Sequence, residues 1–390
     1  MKVIIGLNMF KRKQILEFRG NESCFLWGAR QTGKSTLLKE LFPNSPKYDL
    51  LLSSEYGRLQ INPSLMHQEL LAQLPGDKPV IVDEVQKIPQ LLDEIHWLIV
   101  NKNIQFILCG SSARKLKRSG ANLLGGRALR FELFPLVYPE IPDFDLFRAL
   151  NHGLIPRHYL SRHPHLLLEA YVGEYLKEEI AAEALVRNIP AFSRFLEVAA
   201  FSNGDIAVHN KIASECGVSG PTAKEYFEII NDTLIGSFVP SFQKRPKRRV
   251  IHAPRFYYFD VGLANYLLKR GQIVPKSEAF GKAFEHFIYQ EMRAHSHYSG
   301  LKYPISYWRT ASDLEVDFIL GDHEIALEIK GVDQVTGHHL KGIRAFMEEY
   351  TTKKAIIVSL DPKPRQLDQG ILVLPWEKFL QDLWSGELIK

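Results

Sequence analysis

Cysteine is scarce in this sequence of 390 residues. The three cysteines, Cys24, Cys109 and Cys216, lie far apart and form no CxxC pair. This spacing supports neither a disulfide framework nor a structural zinc site. A chain without such cross-links suits a reducing compartment, so we expect a cytoplasmic protein.

Long hydrophobic runs are also absent. No stretch approaches the roughly 18 apolar residues that a membrane span needs. The first 14 residues, MKVIIGLNMFKRKQ, are interrupted by Gly6 and Asn8 and contain no small-residue cleavage site. We therefore expect neither secretion nor membrane insertion.

Neither sign of charge is in large excess. The 49 Lys and Arg residues against 44 Asp and Glu give a net charge of +5, which by itself does not indicate a nucleic-acid partner. Hydrophobic residues make up 45% and charged residues 24% of the chain, a composition that excludes a mostly disordered protein. At about 150 residues per domain, the length predicts two or three domains.

The sequence pattern changes twice along the chain. From residue 22 to about 140, short apolar runs alternate with helical stretches, which predicts an α/β domain with a parallel sheet. From about 144 to 242 the strand pattern disappears and helical periodicity dominates. A basic segment, QKRPKRRVIHAPR, then leads to an α+β stretch. We place the three predicted domains at residues 1–142, 143–270 and 271–390.

A phosphate-binding loop is the clearest motif. GARQTGKS, residues 28–35, matches G-x-x-x-x-G-K-[ST] and stands between an apolar strand and a helix. Its glycines let successive N–H groups turn toward phosphate oxygens, Lys34 is expected to reach the β- and γ-phosphates, and Ser35 to bind Mg²⁺. An ordinary glycine-rich turn is the alternative. The residues predicted to bind ATP here are Gly28, Ala29, Arg30, Gln31, Thr32, Gly33, Lys34, Ser35 and Thr36.

Two acidic residues end the strand VIVDE, residues 80–84. Ligands of parallel sheets gather at the carboxyl ends of the strands. Asp83 is therefore expected to hold Mg²⁺, and Glu84 to act as the general base that activates the attacking water. Acidic residues that merely cap a strand are the alternative. With the phosphate loop, this pair predicts ATP hydrolysis.

Two further residues are candidates for phosphate contact. Ser111 follows the strand FILCG and is expected beside the γ-phosphate, with helix capping as the alternative. Arg127 lies in a segment, residues 111–130, that has six basic residues and no acidic one. It is expected to reach a phosphate in its own or a neighbouring subunit, as an arginine finger does, while a solvated or DNA-facing arginine is the alternative.

Four segments together carry a family resemblance. The segments are the phosphate loop with its Arg-Gln-Thr, the strand VIVDEVQKIP, CGSSARKL and FELFPLVYPE. Together they resemble the prokaryotic AAA-type ATPases that carry a C-terminal domain of formerly unknown function. The resemblance runs through most of the chain and is strongest at residues 28–140 and 255–331. It implies an ATPase domain, then a winged-helix region, then a nuclease-like fold, and a homo-oligomeric ring.

The middle region contains a helix-turn-helix candidate. NKIASECGVSGPTAKEYFEIINDT, residues 210–233, has two helical stretches around a turn at Gly217. The basic run that follows has no acidic residue and predicts a DNA-contacting wing. Protein packing by the helices and a solvated charge run are the alternatives. The residues predicted to bind nucleic acid are Lys244, Arg245, Lys247, Arg248 and Arg249.

A second candidate site lies near the C-terminus. LEVDFILGDHEIALEIKG, residues 314–331, predicts two strands joined by a two-residue turn at Gly321 and Asp322. In that register Asp317 faces Ala326, and the side chains of Asp317, Glu328 and Lys330 project from one face. Paired carboxylates suit Mg²⁺ or Mn²⁺, and an adjacent ammonium can orient an attacking water.

This arrangement is similar to the PD-(D/E)xK nuclease motif, in which an earlier helix supplies another acid. Glu285 in FGKAFEHFIYQEM has the right order and helical setting. The resemblance implies that Glu285, Asp317, Glu328 and Lys330 are catalytic and that Asp317 and Glu328 hold the metal. A structural hairpin with solvated charges is the alternative.

The motifs together predict an ATP- and Mg²⁺-dependent AAA-type ATPase that acts on DNA and cleaves it with its last domain. Two alternatives stay open. One is an ATP-controlled switch whose nuclease-fold domain binds DNA without cutting it. The other is a nucleotide-gated protein-interaction module, for which DNA would be irrelevant.

Overall fold

The computed structural model describes residues 10–17, 22–112, 114, 116, 124–179, 186, 188–244 and 247–390, and over 177–179 the backbone alone. Within these ranges, every helix is too short or too polar to cross a membrane.

The first part of the chain forms a five-stranded parallel sheet with the strand order β2-β3-β4-β1-β5. β1, β3 and β4 are buried along their whole length, as expected for parallel strands covered on both faces. The predicted parallel α/β domain is confirmed. Its strands are β1 (Ser23–Trp27), β2 (Lys47–Asp49), β3 (Val80–Asp83), β4 (Phe106–Gly110) and β5 (Ala128–Glu132), and its helices are α1 (Lys34–Leu41), α2 (Ser53–Ile61), α3 (Ser64–Ala72) and α4 (Leu91–Lys102).

Three central strands end level with one another. Trp27 at the end of β1 pairs with Gly110 at the end of β4, and Asp83 at the end of β3 pairs with Cys109. Because β4 lies between β1 and β3, the loops after all three strands meet at one sheet edge. This edge is where ligands of open parallel sheets bind.

The middle part is mostly helical and includes a small antiparallel sheet with the order β6-β8-β7. The expectation that residues 144–242 contain no strand is wrong, because β6 and β7 are too short to show a strand period in the sequence. The helices are α5 (Leu146–His152), α6 (Pro156–Leu160), α7 (Pro164–Ala170), a π-helical segment (Tyr171–Glu179), α8 (Ile189–Phe201), α9 (His209–Cys216), α10 (Gly220–Asp232) and α11 (Val261–Leu267), and the strands are β6 (Asp205–Ile206), β7 (Gly236–Val239) and β8 (Arg255–Tyr258).

The α9–α10 pair lies where the helix-turn-helix spacing placed it. Gly217 ends α9 in a left-handed conformation with φ 66°, which glycine adopts without steric cost. The Ser219 side chain accepts the N–H of Thr222 and so caps the start of α10. The apolar faces of α8, α9 and α10 pack on β8 in one core cluster.

The last part is a six-stranded mixed sheet with the order β13-β14-β12-β11-β10-β9. The long helix α12 and the helix α14 cover one face, and α13 covers the other. The strands are β9 (Ile305–Arg309), β10 (Glu315–Leu320), β11 (Ile325–Ile329), β12 (Lys354–Ser359), β13 (Arg365–Gln366) and β14 (Leu372–Pro375), and the helices are α12 (Glu278–Tyr298), α13 (Lys341–Met347) and α14 (Trp376–Trp384).

The β10–β11 hairpin differs from the prediction in its turn. Residues 321–324 connect the strands, so the turn has four residues rather than two. Phe318 pairs with Leu327, which places Asp317 beside Glu328 instead of Ala326. Because the register moves by two residues, every side chain keeps its face.

The segment between β7 and β8 contains the predicted basic wing, and its described residues, 240–244 and 247–254, run along β9 of the last sheet; we call these described residues the strap. The N–H of Tyr307 donates to Pro240 O at 3.0 Å and that of Phe242 to Tyr307 O at 2.7 Å. Farther along, the N–H of Ile251 donates to Arg309 O at 2.9 Å. The strap therefore covers an edge strand that would otherwise expose unpaired backbone groups.

Candidate nucleotide site and acidic site

The phosphate loop follows β1 and has the backbone of an anion site. Gln31 and Gly33 adopt left-handed conformations, with φ values of 63° and 96°, which turns loop amides toward the space above α1. A Cβ added at Gly28 would lie 2.5 Å from Leu133 O, so only glycine fits there. α1 begins without a side-chain cap, and its first N–H groups remain available to an anion.

Lys34 is folded back over this loop. Its buried ammonium donates to the carbonyls of Gly28 at 2.7 Å and Ala29 at 3.1 Å. A bound phosphate offers stronger, charged acceptors at the same place. Lys34 is thus positioned to exchange these carbonyls for phosphate oxygens.

The structure brings Ser35 and Asp83 together. The Ser35 hydroxyl donates to Asp83 Oδ2 at 2.8 Å, beside a cleft of about 680 Å³. Hydroxyl and carboxylate oxygens are the ligands that Mg²⁺ prefers, so these two residues fit the ion and would hold it.

Lys47 on β2 is a neighbour that the sequence did not reveal. Its ammonium lies 3.0 Å from Asp83 Oδ2 and 2.9 Å from Asp49 Oδ2. Although burial opposes the charge, the hydrogen bonds and charges of these two carboxylates raise the pKa of Lys47. The buried Asp83 carboxylate therefore has a protein cation as its partner.

Glu84 occupies a strained position beside Ser111. Its φ of 59° and ψ of 41° are left-handed, which is uncommon for a residue other than glycine. Its carboxylate accepts the Gln86 side-chain N–H at 2.5 Å and the Ser111 hydroxyl at 3.5 Å. The Gln86 amide also donates to Ser111 at 3.2 Å. The predicted general base and the predicted phosphate-sensing serine thus share one partner.

Gln86 was missed in the sequence, although it lies only two residues after Glu84. Its side chain is fully buried. A Cβ at Gly110 would lie 2.3 Å from Gln86 Oε1, so the glycine that ends β4 leaves room for this amide. No short motif contains this relation, because Gly110 lies on a different strand.

Arg12 holds the phosphate loop from outside the motif. Its guanidinium donates to Thr32 O at 2.6 Å and to the carboxylate of Glu140 at 2.9 Å. Arg127, by contrast, is exposed and lies 3.3 Å from the His96 ring on α4. A role for Arg127 at the nucleotide of a neighbouring subunit stays a prediction.

The phosphate loop also contacts the middle domain. The Tyr171 hydroxyl donates to Arg30 O at 3.4 Å. The Arg30 guanidinium lies over the Tyr175 ring, 5.2 Å from its centroid. A predicted nucleotide-binding residue is thereby held by the π-helical segment.

A second connection starts beside Ser111. The Ser112 hydroxyl accepts the backbone N–H of Arg114 at 3.2 Å. The buried Arg114 guanidinium reaches α10, where it lies 3.0 Å from Asp232 and 3.6 Å from Glu225. The second helix of the helix-turn-helix pair is therefore docked on the first domain by its acidic side chains.

The acidic site of the C-terminal domain contains the expected lysine and two carboxylates. The Lys330 ammonium lies 3.1 Å from Glu328 Oε1 and 3.6 Å from Asp317 Oδ2. Asp317 Oδ2 also accepts the N–H of Ile329 at 2.7 Å. Burial, together with the charge of Asp317, raises the pKa of Glu328 to about 8.

Glu285 on α12 reaches the same place but faces an arginine. Its carboxylate accepts the Tyr257 hydroxyl at 2.6 Å and lies 3.7 Å from the Arg255 guanidinium. Arg255 also pairs with Glu315 and donates to Asp317 O at 3.4 Å. Burial and the charge of Asp317 raise the pKa of Glu285.

These contacts do not fit the metal predicted for this site. Among the residues that the structure describes, no three His, Cys, Asp or Glu side chains are grouped so that they could hold a metal ion. Asp317 and Glu328 share the Lys330 ammonium, and Glu285 faces Arg255. Protein cations thus take the place that Mg²⁺ or Mn²⁺ was expected to fill.

The basic residues of the strap are partly neutralised. Lys244 pairs with Asp322, and the Arg248 guanidinium lies 2.6 Å from both Glu348 and Glu349. These acids belong to the C-terminal domain, so the two cations face protein. This arrangement differs from the open basic wing that the sequence predicts.

Two of the other predicted DNA-binding residues, Lys247 and Arg249, form no ion pair with another residue that the structure describes. The side chains of Lys247 and Arg249 are exposed. Arg245 lies outside the described residues. DNA contact by these residues stays a prediction.

Comparison with known proteins defines the first domain. Residues 20–142 match a family model described as an AAA domain, and residues 143–273 and 280–379 match two models each described as a domain of unknown function. The parallel sheet, the phosphate loop and this match identify an AAA-type P-loop ATPase domain.

Two relatives match over most of the chain. They are the uncharacterized protein Mb2031c of Mycobacterium bovis and the uncharacterized protein Rv2008c of Mycobacterium tuberculosis. Each is 23% identical over 374 residues, which cover 93% of this chain and 82% of the relative. Among solved structures, the Aeropyrum pernix Orc1 protein in complex with DNA is 12% identical and covers 65% of this chain and 87% of that chain. Its TM-score of 0.28 is too low to bear on fold or function.

Proposed function

We propose that the protein is an ATP-hydrolysing switch, in which the nucleotide state of the AAA domain controls how the middle and C-terminal domains are held. The proposal rests on the contacts of Arg114. Its backbone lies beside the nucleotide site, and its guanidinium contacts α10. A change at the γ-phosphate can reach another domain through it.

The hydrolytic step uses residues of this one sheet edge. Lys34 binds phosphate oxygens, and Ser35 and Asp83 hold Mg²⁺, which when bound neutralises charge on the phosphates. Glu84 orients the attacking water and accepts its proton, with Gln86 and Ser111 positioning its carboxylate.

The coupling step follows from the contacts of Ser111 and Arg114. Gain or loss of the γ-phosphate changes the partners of Ser111, and Ser112 next to it holds the backbone of Arg114. Movement of Arg114 alters its ion pair with Asp232, in which the arginine side chain is buried. Because breaking a buried ion pair is costly, α10 is expected to follow the arginine.

Hydrolysis is tested with Lys34→Ala and Glu84→Gln in binding and turnover assays. We expect Lys34→Ala to lose ATP binding, and Glu84→Gln to bind ATP but to lose turnover by about 100-fold or more. Lys39→Ala, an exposed lysine on the same helix, is the matched control and should be unchanged. Normal turnover in Glu84→Gln would refute the assigned base.

Coupling is tested by hydrogen exchange in the Glu84→Gln protein, which should trap bound ATP. We expect ATP to change the exchange of α10, and Arg114→Gln to abolish that change while ATP affinity is kept. An ATP response of α10 that survives Arg114→Gln would contradict this route.

DNA cleavage is a second candidate function. The proximity of Glu285 to Asp317, Glu328 and Lys330 favours it, although Arg255 and Lys330 occupy these carboxylates in the structure. The test is cleavage of labelled duplex, single-stranded and branched DNA with Mg²⁺ or Mn²⁺, with and without ATP. Cutting that is lost in Asp317→Ala would establish a nuclease, and its absence with every substrate would leave the switch alone.

A homo-oligomeric ring belongs to the same proposal. Sedimentation with and without ATP tests it. Arg127→Ala should leave ATP binding intact and reduce turnover if the arginine reaches a neighbouring subunit's nucleotide.

A further inference from the structure

The Gln86 side chain directs both of its N–H groups to the sheet edge that holds the candidate nucleotide site. A glutamine amide has two N–H donors and one acceptor oxygen. The amide nitrogen lies 2.5 Å from the Glu84 carboxylate and 3.2 Å from the Ser111 hydroxyl oxygen. One N–H therefore serves each partner. These two partners are the predicted base and the predicted contact of the γ-phosphate.

The orientation of this amide is unfavourable for its oxygen. Gln86 is fully buried, and among the residues that the structure describes its Oε1 atom has no hydrogen-bond partner. A buried acceptor without a partner is destabilising. The reversed amide would set this oxygen against the Glu84 carboxylate, which is also an acceptor. The fold thus keeps both N–H groups at the sheet edge, which indicates that this end of the amide is the functional one.

The amide is enclosed on the side away from Glu84 and Ser111. Gly110 ends β4, and a Cβ there would lie 2.3 Å from Gln86 Oε1 and 2.6 Å from the Trp27 ring. The amide oxygen and the Trp27 ring therefore both pack on the bare backbone of this glycine. Trp27 ends β1 and directly precedes the phosphate loop. The amide is thus held between the strand that leads into this loop and the strand that leads into Ser111.

We propose that Gln86 is a ligand of the γ-phosphate and links that phosphate to the base. The N–H that donates to Ser111 binds a γ-phosphate oxygen instead, because a charged oxygen is a stronger acceptor than a hydroxyl. The other N–H stays on Glu84. One planar amide then spans the phosphate and the carboxylate, which fixes the carboxylate relative to the phosphorus that the water attacks.

This inference rests on the proposed ATP hydrolysis at this sheet edge and adds to it a residue that distinguishes ATP from ADP. ADP lacks the γ-phosphate, so it offers the Gln86 amide no charged oxygen at this place. Gln86 should therefore contribute to the affinity for ATP and not to the affinity for ADP.

The test compares two affinities of the full chain by calorimetry with Mg²⁺. One ligand is ADP, and the other is the ATP analogue in which N–H replaces the β,γ-bridging oxygen. We expect Gln86→Leu, which has a similar size but no N–H, to bind the ATP analogue about 10-fold more weakly. ADP should bind as in the wild type, which also shows that the phosphate loop is intact. An unchanged ratio of the two affinities would overturn the proposal.

Two further variants keep a polar side chain in this buried position. Gln86→Asn is one methylene shorter, so its amide cannot reach both partners. Gln86→Glu keeps the length but replaces the donor by a charged acceptor, which repels a phosphate oxygen. We expect the ratio of ATP-analogue affinity to ADP affinity to fall in both, and most in Gln86→Glu. Gln90→Leu, at an exposed glutamine four residues later, is the matched control and should keep the wild-type ratio. A wild-type ratio in both Gln86 variants would refute the γ-phosphate contact.

Turnover assays separate this inference from a purely positioning role and from the proposed hydrolysis. If Gln86 only positioned Glu84, Gln86→Leu would lower kcat and leave the affinity ratio unchanged. Glu84→Gln should lose turnover and keep the ratio. Normal turnover in Glu84→Gln would count against the proposed hydrolysis, whereas an unchanged ratio in the Gln86 variants would count against the role of Gln86 alone.

Discussion

Lys47 places a positive charge where the nucleotide site is expected to gather its metal. Its ammonium and Mg²⁺ both seek the carboxylate of Asp83, and Asp49 offers the ammonium a second partner 2.9 Å away. At the scale of single residues, this makes Lys47 a competitor of the ion. Binding of Mg²⁺ should then shift Lys47 toward Asp49.

Lys47→Met is therefore expected to lower the Mg²⁺ concentration needed for ATP binding. Because Lys47 is partly exposed, we expect a change of about 3- to 5-fold, as for ion pairs worth up to about 1 kcal/mol. The measurement is a Mg²⁺ titration of fluorescent-ATP binding, with Lys39→Met on the same cleft as control. Weaker ATP binding in Lys47→Met would instead make Lys47 a phosphate ligand.

The ion pairs between the strap and the residues after α13 differ in how far they are buried, and so in how much each is expected to stabilise the strap. Arg248 of the strap touches two glutamates after α13, and the side chain of Glu349 is 1% exposed whereas that of Glu348 is 66% exposed. Glu349 also accepts the backbone N–H of Lys247 at 3.0 Å. At the scale of elements, Glu349 is the one of these two glutamates that is placed to hold the strap.

Glu349→Ala is expected to increase the rate of trypsin cleavage within the strap several-fold. Glu348→Ala should have little effect, because exposed ion pairs contribute little. Mass spectrometry of the early fragments gives both rates. Equal rates in the two variants would show that burial of Glu349 does not hold the strap.

Glu291 connects distant parts of the molecule. Its fully buried carboxylate accepts the backbone N–H of Tyr138 at 2.9 Å and the indole N–H of Trp384 at 2.7 Å. Burial raises the pKa of Glu291 to about 8. At the scale of the whole molecule, a single acid on α12 thus joins the end of the AAA domain to α14, the last helix.

This pKa predicts a pH dependence of stability with a definite sign. The folded protein keeps a proton on Glu291 that the unfolded chain releases near the ordinary carboxyl pKa. The contribution of Glu291 to the free energy of unfolding is therefore fully present below about pH 4 and is lost as the pH rises through about 8.

Glu291→Gln should reduce the loss of unfolding free energy that accompanies rising pH. For the wild type this loss is on the order of 4 kcal/mol. Denaturant unfolding at pH 5, 7 and 9 measures it, and the difference between variant and wild type removes the similar contribution of Glu328. Parallel pH profiles for the two proteins would show that Glu291 does not titrate in this range.

The sequence alone determined what depends on neighbouring residues. The phosphate loop at residues 28–35 and the acidic strand end at 83–84 are contiguous, and their spacing prescribes a strand, a turn and a helix. The common face of Asp317, Glu328 and Lys330 also followed from the sequence. It survived the error in the turn because a shift of two residues leaves a strand's faces unchanged.

Only the tertiary structure decided which charges meet. Lys47 and Asp83, Arg114 and Asp232, and Arg255 and Glu315 are joined across 36, 118 and 60 positions of the chain. Sequence spacing has no bearing on such pairs, because they depend on strand order and on the docking of one domain against another. The run of basic residues in the strap likewise read as an exposed wing until the fold placed acids of the C-terminal domain against Lys244 and Arg248.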